Sequence, residues 1–185
     1  NKKVAGGYAA VEGTPFDFRT PQIISERIDE ENAQIKITGG YDHTWAVNTK
    51  GDDSRPAAWI YDKESGRKME IYTTEPGVHV YAANGLKGNL MGKDSTFYAK
   101  RTSICFETMH FQNSPNVPEY PTTVLRPNEC FNSRTVYKFV IEFNIMRNYI
   151  CAVNVFKQIG NNLIKSRSIL YHFIKEAADF IFFVI

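Results

Sequence analysis

Glu107 stands in the segment Ser103-Ile104-Cys105-Phe106-Glu107-Thr108-Met109-His110-Phe111. In an extended strand, side chains alternate between faces. Glu107 then shares a face with Cys105 and Met109, while Phe106 and His110 point the other way. Apolar neighbours would bury the carboxylate and raise its pKa, which is how a proton-transfer carboxylate is tuned. A surface glutamate, or one paired with an arginine, is the competing interpretation.

A second candidate lies in Gly39-Gly40-Tyr41-Asp42-His43-Thr44-Trp45. Two glycines allow a tight turn, and a short acidic side chain follows among aromatic rings. Carboxylates that accept hydrogen bonds from hydroxyls beside aromatic faces are characteristic of sugar sites. Asp42 acting only as a turn cap is the alternative, and His43 reads as structural. Residues 112–129 carry Pro115, Pro118, Pro121 and Pro127. They form a long, stiff loop directly after the Glu107 strand, either a surface crossover or a functional loop.

These residues need a scaffold, and the composition is that of a globular one: 43% hydrophobic and 23% charged over 185 residues. A net charge of +2 gives no electrostatic reason to expect a nucleic-acid partner. Aromatic residues at 14% suit a β-rich core or a carbohydrate site. Cys105, Cys130 and Cys151 form no CxxC pair. They read as free thiols in a reducing, cytoplasmic compartment, with no zinc site. The sequence opens on Asn1 with no positive-then-apolar leader, so no signal peptide is visible, and a fragment is expected. No Walker loop, GxGxxG, HExxH or GxSxG motif occurs.

Short apolar or alternating runs between turn signals predict strands at 34–38, 44–48, 57–62, 68–73, 78–82, 103–111 and Thr135–Ile141. The clearest hairpin joins 57–62 to 68–73 through Lys63-Glu64-Ser65-Gly66-Arg67, where Gly66 supplies a positive φ. Many short strands with frequent turns predict an all-β sandwich or barrel. All eight prolines lie before residue 140, and residues 140–185 retain only Gly160 among the glycines, which places a boundary between 1–139 and 140–185. In that tail Ile159, Leu163, Leu170, Ile174, Ala178 and Ile181 recur at helical spacing, which predicts an amphipathic helix. Lys157, Lys165, Arg167, Lys175, Glu176 and Asp179 interrupt the apolar runs well short of the ~18 residues a membrane span requires.

A series of segments carries a family resemblance. In order they are Gly13-Thr14-Pro15-Phe16-Asp17-Phe18-Arg19, Gly40-Tyr41-Asp42-His43, Glu64-Ser65-Gly66-Arg67 and Thr73-Thr74-Glu75-Pro76-Gly77-Val78. Glu107-Thr108-Met109-His110-Phe111, Ser114-Pro115-Asn116 and Thr123-Val124-Leu125-Arg126-Pro127 follow. Over residues 1–139 this order resembles the C-terminal part of the aldose 1-epimerase (galactose mutarotase) family. The resemblance implies a large antiparallel β-sandwich of which this chain holds the later strands. It also implies interconversion of the α and β anomers of hexoses such as galactose and glucose, with no cofactor and no metal.

By motif, Glu107 matches the family's general base, and Asp42 matches the aspartate that holds sugar hydroxyls. His79 falls where many members place a sugar-contacting glutamine. An imidazole cannot copy the amide's donor and acceptor geometry, so hydroxyl selectivity is expected to differ. His110 faces away from Glu107 by pleat parity and is expected to be structural or supporting. The family's general acid is a histidine upstream of the Gly13–Arg19 segment, and none of His43, His79, His110 and His172 lies in a matching motif. Loss of a positioned acid costs about 10²–10⁴-fold in rate, so this chain alone is expected to be a poor catalyst. Two other readings compete: a carbohydrate-binding sandwich without turnover, and a glycosidase using Asp42 and Glu107 as its carboxylate pair.

Overall fold

The computed structural model describes residues 6–142 and the strand at 180–184. It is built mostly of antiparallel strands with two short helices. The chain runs β1 (Gln22–Ile23), α1 (Ile24–Arg27), α2 (Ala33–Thr38), β2 (Asp42–Ala46), β3 (Ala58–Asp62), β4 (Arg67–Thr73) and β5 (Gly77–Tyr81). It continues through β6 (Lys87–Met91), β7 (Phe97–Ala99), β8 (Cys105–Met109), β9 (Thr135–Ile141) and β10 (Phe180–Val184). One sheet has the order β1-β10-β3-β4-β9, a second has β2-β5-β8, and β6 and β7 form a separate ribbon.

The predicted hairpin is present as β3–β4. Gly66 adopts φ 72°, a conformation that L side chains rarely take, and its N–H closes the turn on the Asp62 carbonyl at 2.9 Å. The Asp62 carboxylate accepts the Glu64 and Ser65 amides within the loop. The β9 strand pairs with β4 from Arg67↔Ile141 to Thr73↔Thr135 and occupies the predicted range.

Two expectations are corrected. Residues 34–38 are helix α2, not strand. Asn32 caps it by accepting the Gln34 amide at 2.8 Å, and Gly39 ends it in the left-handed conformation. The Ile35/Ile37 alternation suggested a strand, but only Ile35 is buried, and Ile37 faces solvent. In the tail, Ile181 belongs to β10, which lies between β1 and β3. The other tail positions assigned to a helix, Ile159, Leu163, Leu170, Ile174 and Ala178, lie outside the described residues.

The two larger sheets share one apolar core. Ala58, Ile60 and Ile71 come from one sheet, and Trp45, Val78, Val80 and Phe106 from the other. The Gly13–Arg19 segment closes one end of this core. Tyr41 donates its hydroxyl to the Pro15 carbonyl at 2.8 Å, and the Trp45 indole N–H donates to the Phe16 carbonyl at 2.8 Å. The Arg27 guanidinium donates to the carbonyls of Thr14 and Asp17. A segment without regular structure is thus held by side chains that satisfy its backbone.

A buried polar cluster around Glu75 also links the segments flanking the two sheets. The Glu75 carboxylate, 6% exposed as a residue, bonds His110 Nδ1 at 2.7 Å and accepts the Ser133 hydroxyl. His110 thus commits its Nδ1 to Glu75. On β9, Ile141 is mostly exposed, and Tyr137 and Phe139 are partly so.

Burial pushes the Tyr41 phenol above its ordinary pKa, so its hydroxyl stays a donor across the usual pH range. Replacing Tyr41 with Phe removes that donor and leaves the Pro15 carbonyl unpaired. The expected loss is about 1 kcal/mol with the fold retained, measured by chemical denaturation.

Candidate functional site

The register of β2, β5 and β8 builds the site. Thr44 pairs with His79, which pairs with Glu107; Asp42 pairs with Tyr81, which pairs with Cys105. All six residues share one face of the sheet because strand side chains alternate. The opposite face carries Trp45, Val78, Val80 and Phe106 into the core.

Against the outer face lies an open cavity of about 480 Å³ lined by Thr38, Asp42, His79, Tyr81, Asn84, Gly85 and Glu107. Its volume falls within the roughly 300–1,000 Å³ typical of small-ligand sites. The three residues singled out from the sequence, Asp42, His79 and Glu107, therefore meet in one cavity although they come from three strands. Thr38, Tyr81, Asn84 and Gly85 were not singled out. Glycine–glycine turns and a residue pair following a strand are the signals that could have pointed to their region.

Glu107 is exposed, so the expectation that its apolar strand neighbours bury it is not met. Met109 and Cys105 lie on its face, but the apolar mass of the sheet lies behind it. Its carboxylate makes no hydrogen bond or ion pair to another described residue. Burial, and then the neighbouring Glu107 charge, push the Cys105 thiol up, which keeps it protonated and poorly nucleophilic.

His79 is held on every polar side. Its Nε2 lies 3.0 Å from Asp42 Oδ1, and its Nδ1 lies 2.9 Å from Thr44 Oγ1 and 3.1 Å from Gln112 Nε2. The Thr44 hydroxyl donates to Gln112 Oε1 at 2.7 Å. Gln112 enters from the proline-bearing segment that follows β8, so that loop supports the site through this residue.

The wall beside Asp42 depends on Gly40. Gly40 has φ 142°, and a Cβ there would sit 2.2 Å from Asn84 Oδ1. Asn84 occupies that space and donates to the Tyr41 carbonyl at 2.8 Å. Tyr81 accepts the Gly85 amide on its hydroxyl at 3.0 Å, which folds the post-β5 loop over the cavity. Arg101 pairs with Asp29 through both carboxylate oxygens and reaches the Gly39 carbonyl at 3.3 Å.

The cavity-bearing sheet and the sheet packed behind it form an antiparallel β-sandwich with an open small-ligand cavity on one outer face. The family model described as aldose 1-epimerase matches residues 2–138. The chain belongs to the aldose 1-epimerase family. It is 35% identical over 136 residues to galactose mutarotase of Mus musculus, covering 74% of this chain and 38% of that protein. It is 34% identical over 138 residues to aldose 1-epimerase of Escherichia coli, covering 74% and 39%. A solved structure of the GalM/aldose epimerase homologue from C. elegans matches with a TM-score of 0.59 at 23% identity, covering 74% of this chain and 39% of that one. The chain thus spans about two-fifths of the length of the relatives it matches. Among the described residues no helix is long and apolar enough to cross a membrane.

The Arg101 hydrogen bonds and charge hold the Asp29 carboxyl below its ordinary value. A depressed carboxylate contributes stability above its unfolded pKa of about 3.9 and loses it as pH falls through the folded value. Wild type should therefore exceed Arg101→Met in melting temperature at about pH 6, and the gap should shrink toward about pH 3. Melting curves across that range check it, and a gap independent of pH would count against the ion pair.

Proposed function

We propose that this chain contributes the base and part of the sugar-holding surface of an enzyme that interconverts the α and β anomers of hexoses such as galactose and glucose. One observation carries this reading: Glu107, Asp42 and His79 line a single open cavity on one sheet face. Family membership supports it.

In this reading the Glu107 carboxylate takes the proton from the anomeric hydroxyl. The C1–O1 bond gains carbonyl character as the bond from C1 to the ring oxygen breaks, and the ring oxygen takes a proton. Rotation about C1–C2 and the reverse transfers then close the ring on the other face. Glu107 can accept a proton because its carboxylate has no described partner to compete with the sugar. Asp42 accepts hydrogen bonds from sugar hydroxyls, oriented by His79. No step needs a metal or cofactor. The even charge balance and the free Cys105 and Cys130 support a small-sugar partner and a reducing, cytoplasmic setting.

The proton donor for the ring oxygen is the open part of this mechanism. His79 is the one imidazole lining the cavity among the described residues, and both of its nitrogens already face protein partners. That observation favours a second reading, in which the chain by itself binds hexose with little or no turnover.

Polarimetry on fresh α-D-galactose decides between them. The enzyme reading expects this chain to accelerate the approach to anomeric equilibrium, slowly for want of a positioned acid. Glu107→Gln should remove about 10²–10⁴-fold of that rate while galactose binding survives. Binding by the folded chain without acceleration would leave the binding reading. Acceleration that survives in Glu107→Gln would remove Glu107 as the base.

A further inference from the structure

We propose that Gln112 and Thr44 are positioning residues that lock His79 in its Nε2–H tautomer, so that the ring orients Asp42 and does not itself touch the ligand. Hydrogen-bond accounting around the ring leads there. Asp42 Oδ1, a carboxylate oxygen, can only accept, so the proton between it and Nε2 at 3.0 Å belongs to the imidazole. On the other side, the Gln112 amide nitrogen can only donate, and it lies 3.1 Å from Nδ1. Nδ1 must therefore present its lone pair.

The amide orientation is in turn set by Thr44, whose hydroxyl donates to Gln112 Oε1 at 2.7 Å. The same hydroxyl lies 2.9 Å from Nδ1, so Thr44 touches both members of the lock. Rotating the amide by half a turn would place an acceptor against Nδ1 and demand a second ring proton. Gln112 thus reads the protonation of the ring. Among the described residues, the titratable groups facing the imidazole are Asp42 on β2 and Glu107, its register partner on β8.

With the ring's one N–H directed to Asp42, the carboxylate has a fixed orientation at the cavity. A locked imidazole works through Asp42, which assigns Gln112 a share in ligand selectivity although it does not line the cavity. The purpose given to the lock rests on the hexose reading; the lock itself does not.

Long-range ¹H–¹⁵N spectra of the full chain report the protonation of each ring nitrogen directly. The proposal expects the His79 Nε2 resonance to have the protonated signature and Nδ1 the unprotonated one at neutral pH. In Gln112→Glu, which offers only acceptors, Nδ1 should shift to the protonated signature. In Thr44→Val the amide loses its anchor, and the Nδ1 resonance should move toward a tautomer average. A dispersed amide spectrum confirms that each variant folds. Wild-type Nδ1 already protonated, or a ring signature unchanged in both variants, would overturn the lock. Galactose titrated into the same samples separates the two readings: if no sugar binds wild type, the hexose reading fails while the lock stands on its ring signatures. If sugar binds, saturation in Gln112→Glu should need more galactose than wild type, and equal affinity would remove Gln112 from ligand selection.

Discussion

The register of the β2-β5-β8 sheet is the constraint on which the site depends. Thr44↔His79↔Glu107 and Asp42↔Tyr81↔Cys105 face outward only because Trp45, Val78, Val80 and Phe106 face inward. Those four side chains are each at most 6% exposed. Burying such a side chain is worth about 1.5–3 kcal/mol. A one-residue slip of the sheet would exchange the two faces and forfeit on the order of 10 kcal/mol, comparable with the whole stability of an ordinary domain. The polar site is therefore positioned by apolar residues that never touch a ligand.

Much of this was legible in the sequence, for physical reasons. Strands with one buried face leave an alternating pattern, so β3, β4, β5, β8 and β9 were placed to within a few residues. Gly66 marked its hairpin because few other residues accept its φ. The β6–β7 ribbon was missed: four of the five residues of β6 are exposed, so no buried face imprinted a period on it. Helix α2 was misread because Ile35 and Ile37 mimic a strand, while the signals that decide its form are Asn32 and Gly39 at its ends. Pleat parity placed Glu107 and His110 on opposite faces, but its exposure was misjudged. Parity tells which residues share a face, not whether another layer covers it.

The motif residues also divide by role. Gly13–Arg19 resembles its family closely, yet its contacts are with Tyr41, Trp45 and Arg27, so it is a piece of scaffold that seals the core. Glu75 and His110 likewise spend their polar groups on each other and on Ser133. Asp42 and Glu107 line a cavity, and His79 between them spends its ring nitrogens on Asp42, Thr44 and Gln112. Sequence similarity marks both kinds equally; hydrogen-bond accounting separates them.

His79 shows where such accounting leads. Its side chain is 14% exposed, and a nearly buried imidazole is costly unless each nitrogen is paired. Thr44 from β2 and Gln112 from the loop after β8 supply one side, and Asp42 supplies the other. The requirement to satisfy one buried ring thereby couples two strands and a long loop at the cavity floor. A floor coupled in this way holds its carboxylate before any ligand arrives, so little reorganisation accompanies binding. The acceptor that meets a sugar hydroxyl is Asp42, but its direction is decided by residues beneath it. That is why the selectivity of this cavity should follow the hydrogen-bond pattern under Asp42 more closely than the identity of the lining residues alone.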